Sequence, residues 1–455
     1  MTFKKQAALS CGQLFTRKEL AVFTVPMITE QFIIVLAGVL TTRLISGIGE
    51  AQIAAVSLVN SLNLLPNLIF TALAVGGVAV VSRRLGCGDE SGASLAARQL
   101  LHFAVLVALG IVALFFAGNS MILQLLFPGL SGGTLDMART YFYVTSLGYP
   151  FMAVCSSGAA LFHSEGNGNA SMLGSLVIYA ATVATTVAAV QWLNGGMMGS
   201  GAAVLLGHIS GAVFYFILLS NKKCRFCLRT KREKRFDRDT MRCILRISVP
   251  VMIENCIFQV GVLVVNGLIS GYGDADLAAN GVATSVGNFG TLAGEAMSLV
   301  IVTVVGRCLG AGSEKAVRSY TKKLLLITYS IMLVVNGALL VAVRPVVAAM
   351  NVSADSFEPT VQILQIFFVS CVLAWPLAFV LPNALRAAGD AKFTLYASTL
   401  SMWVVRVGGG YLLGTVLGLG IQGVWLAMSL DWLVRGIVNL LRFRSRHWLK
   451  ELLAT

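Results

Sequence analysis

Charged residues are scarce in this sequence. Asp, Glu, Lys and Arg together make up 12% of its 455 residues, whereas a soluble domain carries roughly 25%. Hydrophobic residues account for 57%, and the mean hydropathy is +0.82. So much apolar surface would not remain in water. The composition therefore excludes a soluble globular domain and predicts an integral membrane protein.

Several other patterns are missing, and each absence excludes a class of protein. The short alternating segments of a membrane β-barrel are lacking, so the spans are predicted to be helices. No P-loop with its Lys-Ser/Thr pair is present, which excludes ATP hydrolysis by this chain. No nucleophile with its base and no metal cluster stands out, which argues against an enzyme. We therefore expect neither catalysis nor a cofactor.

The nine cysteines are scattered, mostly within apolar runs. Cys224 and Cys227 form one CxxC in a basic loop, with no second pair of ligands nearby. A structural zinc ion usually needs four ligands. The pattern therefore predicts free thiols in a reducing compartment and no metal site.

Apolar runs that are long enough to cross a membrane recur along the chain. A hydrocarbon core about 30 Å thick needs about 20 helical residues. The first run, from Leu20, is too long for the core of a signal peptide, so we expect it to remain as a span. Twelve such segments are predicted, at about 20–46, 53–81, 95–117, 140–162, 171–190, 199–220, 247–270, 277–305, 321–343, 361–384, 393–414 and 421–441.

The positive charge lies in alternate loops. With the N-terminus inside, the inner segments hold all but five of the 34 Lys and Arg residues. The exceptions are Arg43, Arg139, Arg344, Arg406 and Arg435. Because cytoplasmic loops carry the excess of Lys and Arg, both termini are predicted to be cytoplasmic, in a plasma (inner) membrane. The net charge of +14 then reflects topology, and no nucleic-acid partner is expected.

One stretch of the chain occurs twice. Residues 26–90 align with residues 250–314 without a gap, at an offset of 224. Six predicted spans in each half make the two repeats parallel, an arrangement that transporters use. We predict an all-α membrane protein of twelve transmembrane helices, in two six-helix lobes related by a pseudo-twofold axis along the membrane normal. The lobes are residues 1–220 and 241–455, with a basic cytoplasmic linker at 221–240.

Ionisable groups within spans are costly, so each is a functional candidate. Glu30 lies about 10 residues into the first span, which is about 15 Å deep. Glu254 is its repeat mate, and each follows a proline, Pro26 or Pro250, by four residues. Each carboxylate is interpreted as a proton or cation site, or as the counter-charge of a cationic substrate. The alternative is a buried neutral carboxyl that bonds to a neighbouring helix.

A third carboxylate, Glu295 in the eighth span, has Thr71 as its repeat mate. Because it is present in one half only, it is a candidate for a functional asymmetry between the halves. If ions are bound, we expect them first in the second copy, at Glu254 with Glu295.

Polar side chains near these carboxylates are candidates for lining a substrate cleft. They are Gln31, Asn255, Gln259, Asn63 and Asn67, with hydrogen-bonded helix contacts as the alternative for the two asparagines in the second span. Asp431 and Arg435 are four residues apart and share a helix face. We interpret them as a structural ion pair. Arg406 either joins this pair or contacts an anionic substrate.

Several motifs resemble those of the multidrug and toxic compound extrusion (MATE) family, over nearly the whole chain. They are T-V-P-M-I-T-E-Q at 24–31, S-G-I-G-E-A-Q-I-A-A at 46–55 with its second copy, the R-x-L-G-x-G turns, and G-D-A-K at 389–392. The resemblance implies two six-helix lobes around a central cleft. Many members have an acidic residue in the first span, where this chain has Thr41, with Val265 as its mate.

The resemblance also implies a function. It implies a secondary antiporter that exports organic, often cationic, compounds in exchange for H⁺ or Na⁺ as the two lobes rock. The partners expected are small organic substrates and the lipid bilayer, and the expected state is a monomer. The alternative is a flippase for lipid-linked saccharides on the same architecture. Its anionic substrate would need arginines deep in the bilayer, where only Arg406 and Arg435 are found.

Overall fold

The computed structural model of the protein describes most of the chain. The described residues are 15–46, 50–126, 132–189, 196–221, 236–350, 352–445 and 447–448. Within these ranges the chain is helical and contains no strand. Cys224, Cys227 and most of the predicted linker lie outside them, so the domain boundary placed at 221–240 stays a prediction.

The first half consists of seven helices. They are α1 (Arg17–Ser46), α2 (Glu50–Cys87), α3 (Glu90–Leu126), α4 (Gly132–Ser146), α5 (Tyr149–Ser164), α6 (Gly168–Val187) and α7 (Gly196–Ser220). The α4 and α5 helices together form the fourth span, which bends by 46° between them. Pro150 stands in the first turn of α5, where its missing N–H costs no hydrogen bond. The half therefore contains six spans.

The second half begins with long helices and continues with interrupted ones. The long helices are α8 (Arg238–Ser270), α9 (Asp274–Gly310) and α10 (Glu314–Val341), followed by the short α11 (Val343–Ala349). The tenth span runs through α12 (Ala354–Leu373), a π-helical turn (Pro376–Val380) and α13 (Leu381–Ala387). The eleventh runs through α14 (Ala391–Leu400), a π-helical segment (Ser401–Gly408), α15 (Gly409–Tyr411) and a π-helical turn (Leu412–Val416). The twelfth is α16 (Gly420–Arg444).

Ten uninterrupted helices of the described chain are long and apolar enough to cross a membrane, and the bent fourth span is an eleventh. The remaining span, Ala391–Val416, is divided by π-helical turns into shorter pieces. The interruptions explain why length and hydropathy alone do not count it. The predicted all-α fold with twelve spans is confirmed.

The chain forms two compact units. Unit 1 comprises Met1–Thr24 and Val249–Thr455, and unit 2 comprises Val25–Ser248. Each boundary therefore falls within a helix, in α1 just before Pro26 and in α8 just before Pro250. Glu30 and Glu254 follow these prolines by about one helical turn. In unit 2 the core is built around Phe70, Leu100, Leu161 and Tyr215, all at most 2% exposed.

Both copies of the R-x-L-G-x-G turn join a span to a capped helix. In unit 2, Asp89 precedes α3, and its Oδ1 accepts a hydrogen bond of 2.9 Å from the Gly92 N–H. This bond is the main cause that lowers the pKa of Asp89, and the nearby Arg84 adds to the effect. In unit 1, Ser313 takes the same place before α10, and its Oγ accepts a bond of 3.3 Å from the Ala316 N–H. The two turns are structural caps with different chemistry.

Candidate functional site

Glu30 lies in a buried polar site within unit 2. Ser175 Oγ donates a hydrogen bond of 2.8 Å to Oε1 of Glu30, and Ser171 Oγ donates to Oε2. The Nε2 atom of His163 lies 3.4 Å from the same Oε2 and 2.5 Å from Ser171 Oγ. Glu30 and His163 are 4% and 5% exposed. Since the Ser171 hydroxyl has one hydrogen and gives it to Glu30, the imidazole Nε2 donates to Ser171.

Glu254 lies in a corresponding site within unit 1. Its Oε2 is 2.8 Å from Nη2 of Arg386, and both side chains are largely buried. Thr394 Oγ1 lies 3.4 Å from the same Oε2 and 3.4 Å from Nε of Arg386. Asn383 Oδ1 accepts a further hydrogen bond of 2.9 Å from Nη1 of Arg386. The carboxylate is therefore neutralised by a guanidinium whose remaining donors have partners of their own.

Two tight turns bring the partner side chains together. Gly166 and Gly389 adopt φ values of +69° and +94°, which few residues with a side chain tolerate. His163 stands three residues before Gly166, and Arg386 stands three residues before Gly389. In the next helix Ser171 and Thr394 each lie five residues after that glycine. The duplicated turn thus places the last turn of one helix beside the first turn of the next.

Glu295 differs from the other two carboxylates because it is exposed. It lies near the middle of α9, and the residues on either side of it, Gly294 and Ala296, are buried. No Lys or Arg nitrogen of the described residues lies within 4.0 Å of its carboxylate, although the charge of Arg386 acts on it. A carboxylate midway along a span is too costly to face lipid, so Glu295 faces water or a polar cavity.

Asp431 and Arg435 form a contact on one face of α16. Both carboxylate oxygens of Asp431 lie 3.1 Å from Nη2 of Arg435. Ser401 Oγ donates a hydrogen bond of 2.5 Å to Asp431 Oδ1. The guanidinium of Arg435 also stacks on the rings of Phe258 and Phe379, at 5.5 and 5.2 Å from their centroids. The pair is at most 2% exposed and hence neutral as a unit.

Arg406 shares this neighbourhood without an acidic partner. Its guanidinium lies 5.3 Å from the centroid of Phe258, the same ring that Arg435 contacts. Within the described residues no carboxylate oxygen lies within 4.0 Å of Arg406, and its Nε has no hydrogen-bond partner. Arg406, Arg435 and Asp431 together therefore carry a net charge of +1 inside unit 1.

The remaining predicted residues do not form one cluster. Tyr149 of α5 donates a hydrogen bond of 2.6 Å to Asn63 Oδ1. Asn63 Nδ2 lies 3.4 Å from Oγ1 of Thr145 in α4. Asn63 therefore contacts both sides of the bend between α4 and α5. Asn67 is exposed. Three other side chains are half-buried and make no hydrogen bond to another residue of the described chain: Gln31, Asn255 and Gln259.

Sequence reasoning missed the residues that complete the two carboxylate sites. His163, Arg386, Ser171 and Thr394 lie more than 130 residues from the carboxylates that they contact. A signal was present, because the turns at 166–169 and 389–392 correspond to each other and these residues flank them at equal distances. Reading outward from the paired turns would have found all four.

A family model also matches both halves of the chain. The MatE model covers residues 26–190 and 250–412, which is more than half of the sequence and includes both carboxylate sites. The chain belongs to the MATE family. It is accordingly a membrane transporter of the multidrug efflux type and not an enzyme, as the motifs predicted.

Curated relatives are similar to this chain over almost their full length. The chain is 24% identical over 433 residues to "Uncharacterized transporter YisQ" of Bacillus subtilis, with 94% of each protein covered. It is 23% identical over 455 residues to "Probable multidrug resistance protein NorM" of Thermotoga maritima, covering 96% of this chain and 94% of that protein. The shared length indicates that the whole MATE fold is present.

Solved MATE structures have the same fold. A multidrug resistance MATE family transporter in an outward-facing conformation superposes with a TM-score of 0.90 at 21% identity, covering 96% of this chain and 97% of that one. A MATE in the bent conformation gives a TM-score of 0.89 at 20% identity, with both chains fully covered. At this level of identity the likeness establishes the fold of this MATE protein.

Proposed function

We propose that this MATE protein exports organic cations from the cytoplasm in exchange for H⁺ or Na⁺. The multidrug names of its relatives support organic substrates. The charge of the substrate is argued from Glu295, an exposed carboxylate midway along α9 with no cation in contact among the described residues. A fixed negative charge in that position attracts cations and repels anions. Half-buried Asn255 and Gln259 are proposed as polar groups that contact the substrate in unit 1, and Gln31, Asn63 and Asn67 as groups that contact it in unit 2.

The coupling ion binds at one or more of the three carboxylates, Glu30, Glu254 and Glu295. Ion and substrate must favour different states of the transporter, because a ligand of equal affinity for both states shifts neither. Glu254 is already paired with Arg386 at 2.8 Å, so it has less charge left to offer a second cation. We therefore propose that Glu295 and Glu30 contribute more than Glu254 to binding of the coupling ion.

The proposed setting is a monomer in the plasma membrane with both termini in the cytoplasm, where alternate rocking of the lobes exposes the site to each side. The distribution of Lys and Arg supports this orientation. The orientation can be checked by tagging each terminus and testing its accessibility to a membrane-impermeant reagent. Labelling of a terminus from outside intact cells would show that the predicted topology is inverted.

The test of the function is transport of ethidium, a cationic dye, by the purified protein in liposomes. H⁺ and Na⁺ gradients are imposed separately. We expect one of them to drive ethidium movement and Glu295→Gln to reduce the rate at least tenfold at unchanged thermal stability. Glu358→Gln is the matched control, because Glu358 is an exposed carboxylate paired with Arg344 outside this region. Equal rates for Glu295→Gln and the wild type would remove Glu295 from the proposal.

The second candidate is a flippase for lipid-linked saccharides, and Arg406 favours it. This arginine has no acidic partner among the described residues and leaves a net charge of +1 beside Arg435. The two candidates differ in which charge is required. If the second candidate is the activity, an anionic lipid-linked saccharide should move, Arg406→Gln should abolish that movement, and ethidium should not be transported. Efflux of ethidium that depends on Glu295 would instead support the first.

A further inference from the structure

The two carboxylate sites are copies of one arrangement with a single chemical difference. In unit 2, Glu30 of α1 meets His163 at the end of α5 and Ser171 in the first turn of α6. In unit 1, corresponding positions hold Glu254, Arg386 and Thr394. A carboxylate and a hydroxyl are kept in both. The basic partner is a histidine in one and an arginine in the other.

The two basic partners respond differently to pH. The ordinary pKa of a histidine is about 6.5, so an imidazole gains or loses a proton near neutral pH. An arginine side chain is always charged in this range. An arginine in one copy and a histidine in the other therefore give the two sites different chemistry towards protons.

The contacts of Glu30 suit a site that holds or releases one proton. The Ser171 hydroxyl touches both the carboxylate and the imidazole Nε2, and Ser175 holds the other carboxylate oxygen. With the imidazole neutral the site has a net charge of −1, and binding of one proton brings it to zero. The serine bridge allows the added proton to sit on the imidazole or on the carboxylate.

The groups that face the site from neighbouring helices do not compete for that proton. They are Tyr179 of α6 and Tyr215 of α7, and Cys155 of α5 interacts in turn with both tyrosines. Tyrosines and cysteines have ordinary pKa values of about 10 and 8.5 and so are largely neutral at pH 7. Among the described residues, no Lys or Arg nitrogen lies within 4.0 Å of the Glu30 carboxylate, which His163 alone approaches as a base.

We propose that Glu30, His163 and Ser171 form the proton-binding site that couples transport, and that Glu254, Arg386 and Thr394 are its proton-insensitive copy. This assignment rests on the proposed antiport and names its ion as H⁺. Under it, His163 is a residue of the coupling site, and Ser171 positions the proton between the two titratable groups. The duplicated site has kept its geometry in both halves and its response to protons in one.

The test replaces the titratable partner with one that does not titrate. His163→Arg converts the site to the chemistry of its copy, and His163→Gln keeps an amide donor for Ser171 without a titratable proton. His102→Asn is the matched control, since His102 is an exposed histidine on α3 of the same unit. Each protein is checked for thermal stability first, so that one folded His163 variant suffices.

Two measurements are made on these proteins. The first is release of protons into weakly buffered detergent solution when ethidium binds, between pH 6 and 8. We expect about one proton per wild-type and His102→Asn molecule, and none from either His163 variant. The second is ethidium efflux driven by a pH gradient in liposomes, which should fall at least tenfold in the His163 variants, while ethidium binding changes less than threefold.

The outcomes separate this assignment from the proposed function. Wild-type efflux driven by Na⁺ alone, or proton release and pH-driven efflux that persist in a folded His163 variant, would overturn the assignment and leave cation export standing. A wild-type protein that moves ethidium under neither gradient would refute the export proposal itself and this assignment with it. Loss of stability with His163→Gln but unchanged proton release would make His163 purely structural.

Discussion

The Glu30 and Glu254 sites show how a duplicated protein can keep a geometry while changing its chemistry. In unit 1 the carboxylate pairs with Arg386 at 2.8 Å, and Thr394 lies at the longer distance of 3.4 Å. In unit 2 the contact to His163 is the longer one, at 3.4 Å, and hydrogen bonds from Ser171 and Ser175 hold the carboxylate. One site depends on an ion pair, and the other depends on hydroxyl donors.

The difference has consequences for stability as well as for protons. A buried ion pair gains little over an apolar replacement, but removing one partner leaves an uncompensated charge, which costs about 3–5 kcal/mol. A carboxylate with hydroxyl donors loses less when a nearby imidazole is removed, because its hydrogen bonds remain. Variants in the two copies should therefore destabilise the protein by different amounts and for different reasons.

The largest effect is expected from Arg386→Gln. It leaves Glu254 buried without its counter-charge, and we expect a loss of about 3–5 kcal/mol in the free energy of unfolding. The double variant Glu254→Gln/Arg386→Gln should recover most of that loss, because neither charge is then buried alone. His163→Gln should cost less than Arg386→Gln. Thermal unfolding in detergent, followed by tryptophan fluorescence, compares the four proteins.

Arg344→Gln is the control for this series. Its ion pair with Glu358 is well exposed, at 61% and 53% for the two side chains, and such a pair contributes about 0–1 kcal/mol. If Arg386→Gln is no more destabilising than Arg344→Gln, the Glu254 pair does not hold unit 1 together. If the double variant is no better than the single one, the cost lies in lost packing and not in the unpaired charge.

A smaller and opposite asymmetry is expected for the hydroxyl groups. Ser171→Ala removes a donor that contacts both Glu30 and His163, and hydrogen bonds to charged groups contribute about 1.5–3 kcal/mol. Thr394→Val removes a hydroxyl that is 3.4 Å from Glu254, at the weak end of the range for a hydrogen bond, while keeping the volume. We expect it to cost less than about 1 kcal/mol. If Ser171→Ala and Thr394→Val lowered the unfolding midpoint equally, the view that hydroxyl donors stabilise the Glu30 site more than the Glu254 site would be wrong.

Much of the fold could be predicted because composition and repetition are properties of the whole chain. Apolar runs indicated the twelve spans, and the alignment of residues 26–90 with 250–314 identified Glu30 and Glu254 as mates. Local breaks were harder to predict. The bend of 46° before Tyr149 was not expected, because hydropathy indicates the length of a span and not its direction. Asn63 lies in a stripe of asparagines, and nothing in that stripe distinguished it as the partner of Tyr149.

The partners of the carboxylates could not be predicted from residue type alone. A lone histidine such as His163 and an arginine just beyond a predicted span such as Arg386 carry no sign of burial in a sequence. Their contacts join residues more than 130 positions apart, His163 and Ser171 to Glu30, and Arg386 and Thr394 to Glu254, so they depend on the tertiary structure as a whole. The exposure of Glu295 could not be predicted from the sequence either. Its neighbours in the chain, Gly294 and Ala296, are both buried.

The smallest loss of stability is expected at the two capped turns. One cap is a carboxyl group, which titrates, and the other is a hydroxyl group, which does not. Asp89 caps α3, and Ser313 caps α10 in the matching position. Replacing either by Ala should cost about 1 kcal/mol at pH 7, the usual value of an N-cap. The hydrogen bond from Gly92, together with Arg84, lowers the pKa of Asp89.

The pH dependence of the two caps follows from that lowered pKa. A carboxyl group whose pKa falls on folding stabilises the protein above its ordinary pKa, and the stabilisation disappears as the pH falls through the lowered value. The cost of Asp89→Ala should therefore stay constant between pH 7 and about 4 and shrink as the pH is lowered further, whereas the cost of Ser313→Ala should stay constant throughout. Unfolding midpoints of the wild type and both variants at each pH measure the two differences. Parallel curves for Asp89→Ala and the wild type would show that its cap is not electrostatic, and the contrast between the copies would then be confined to the buried sites.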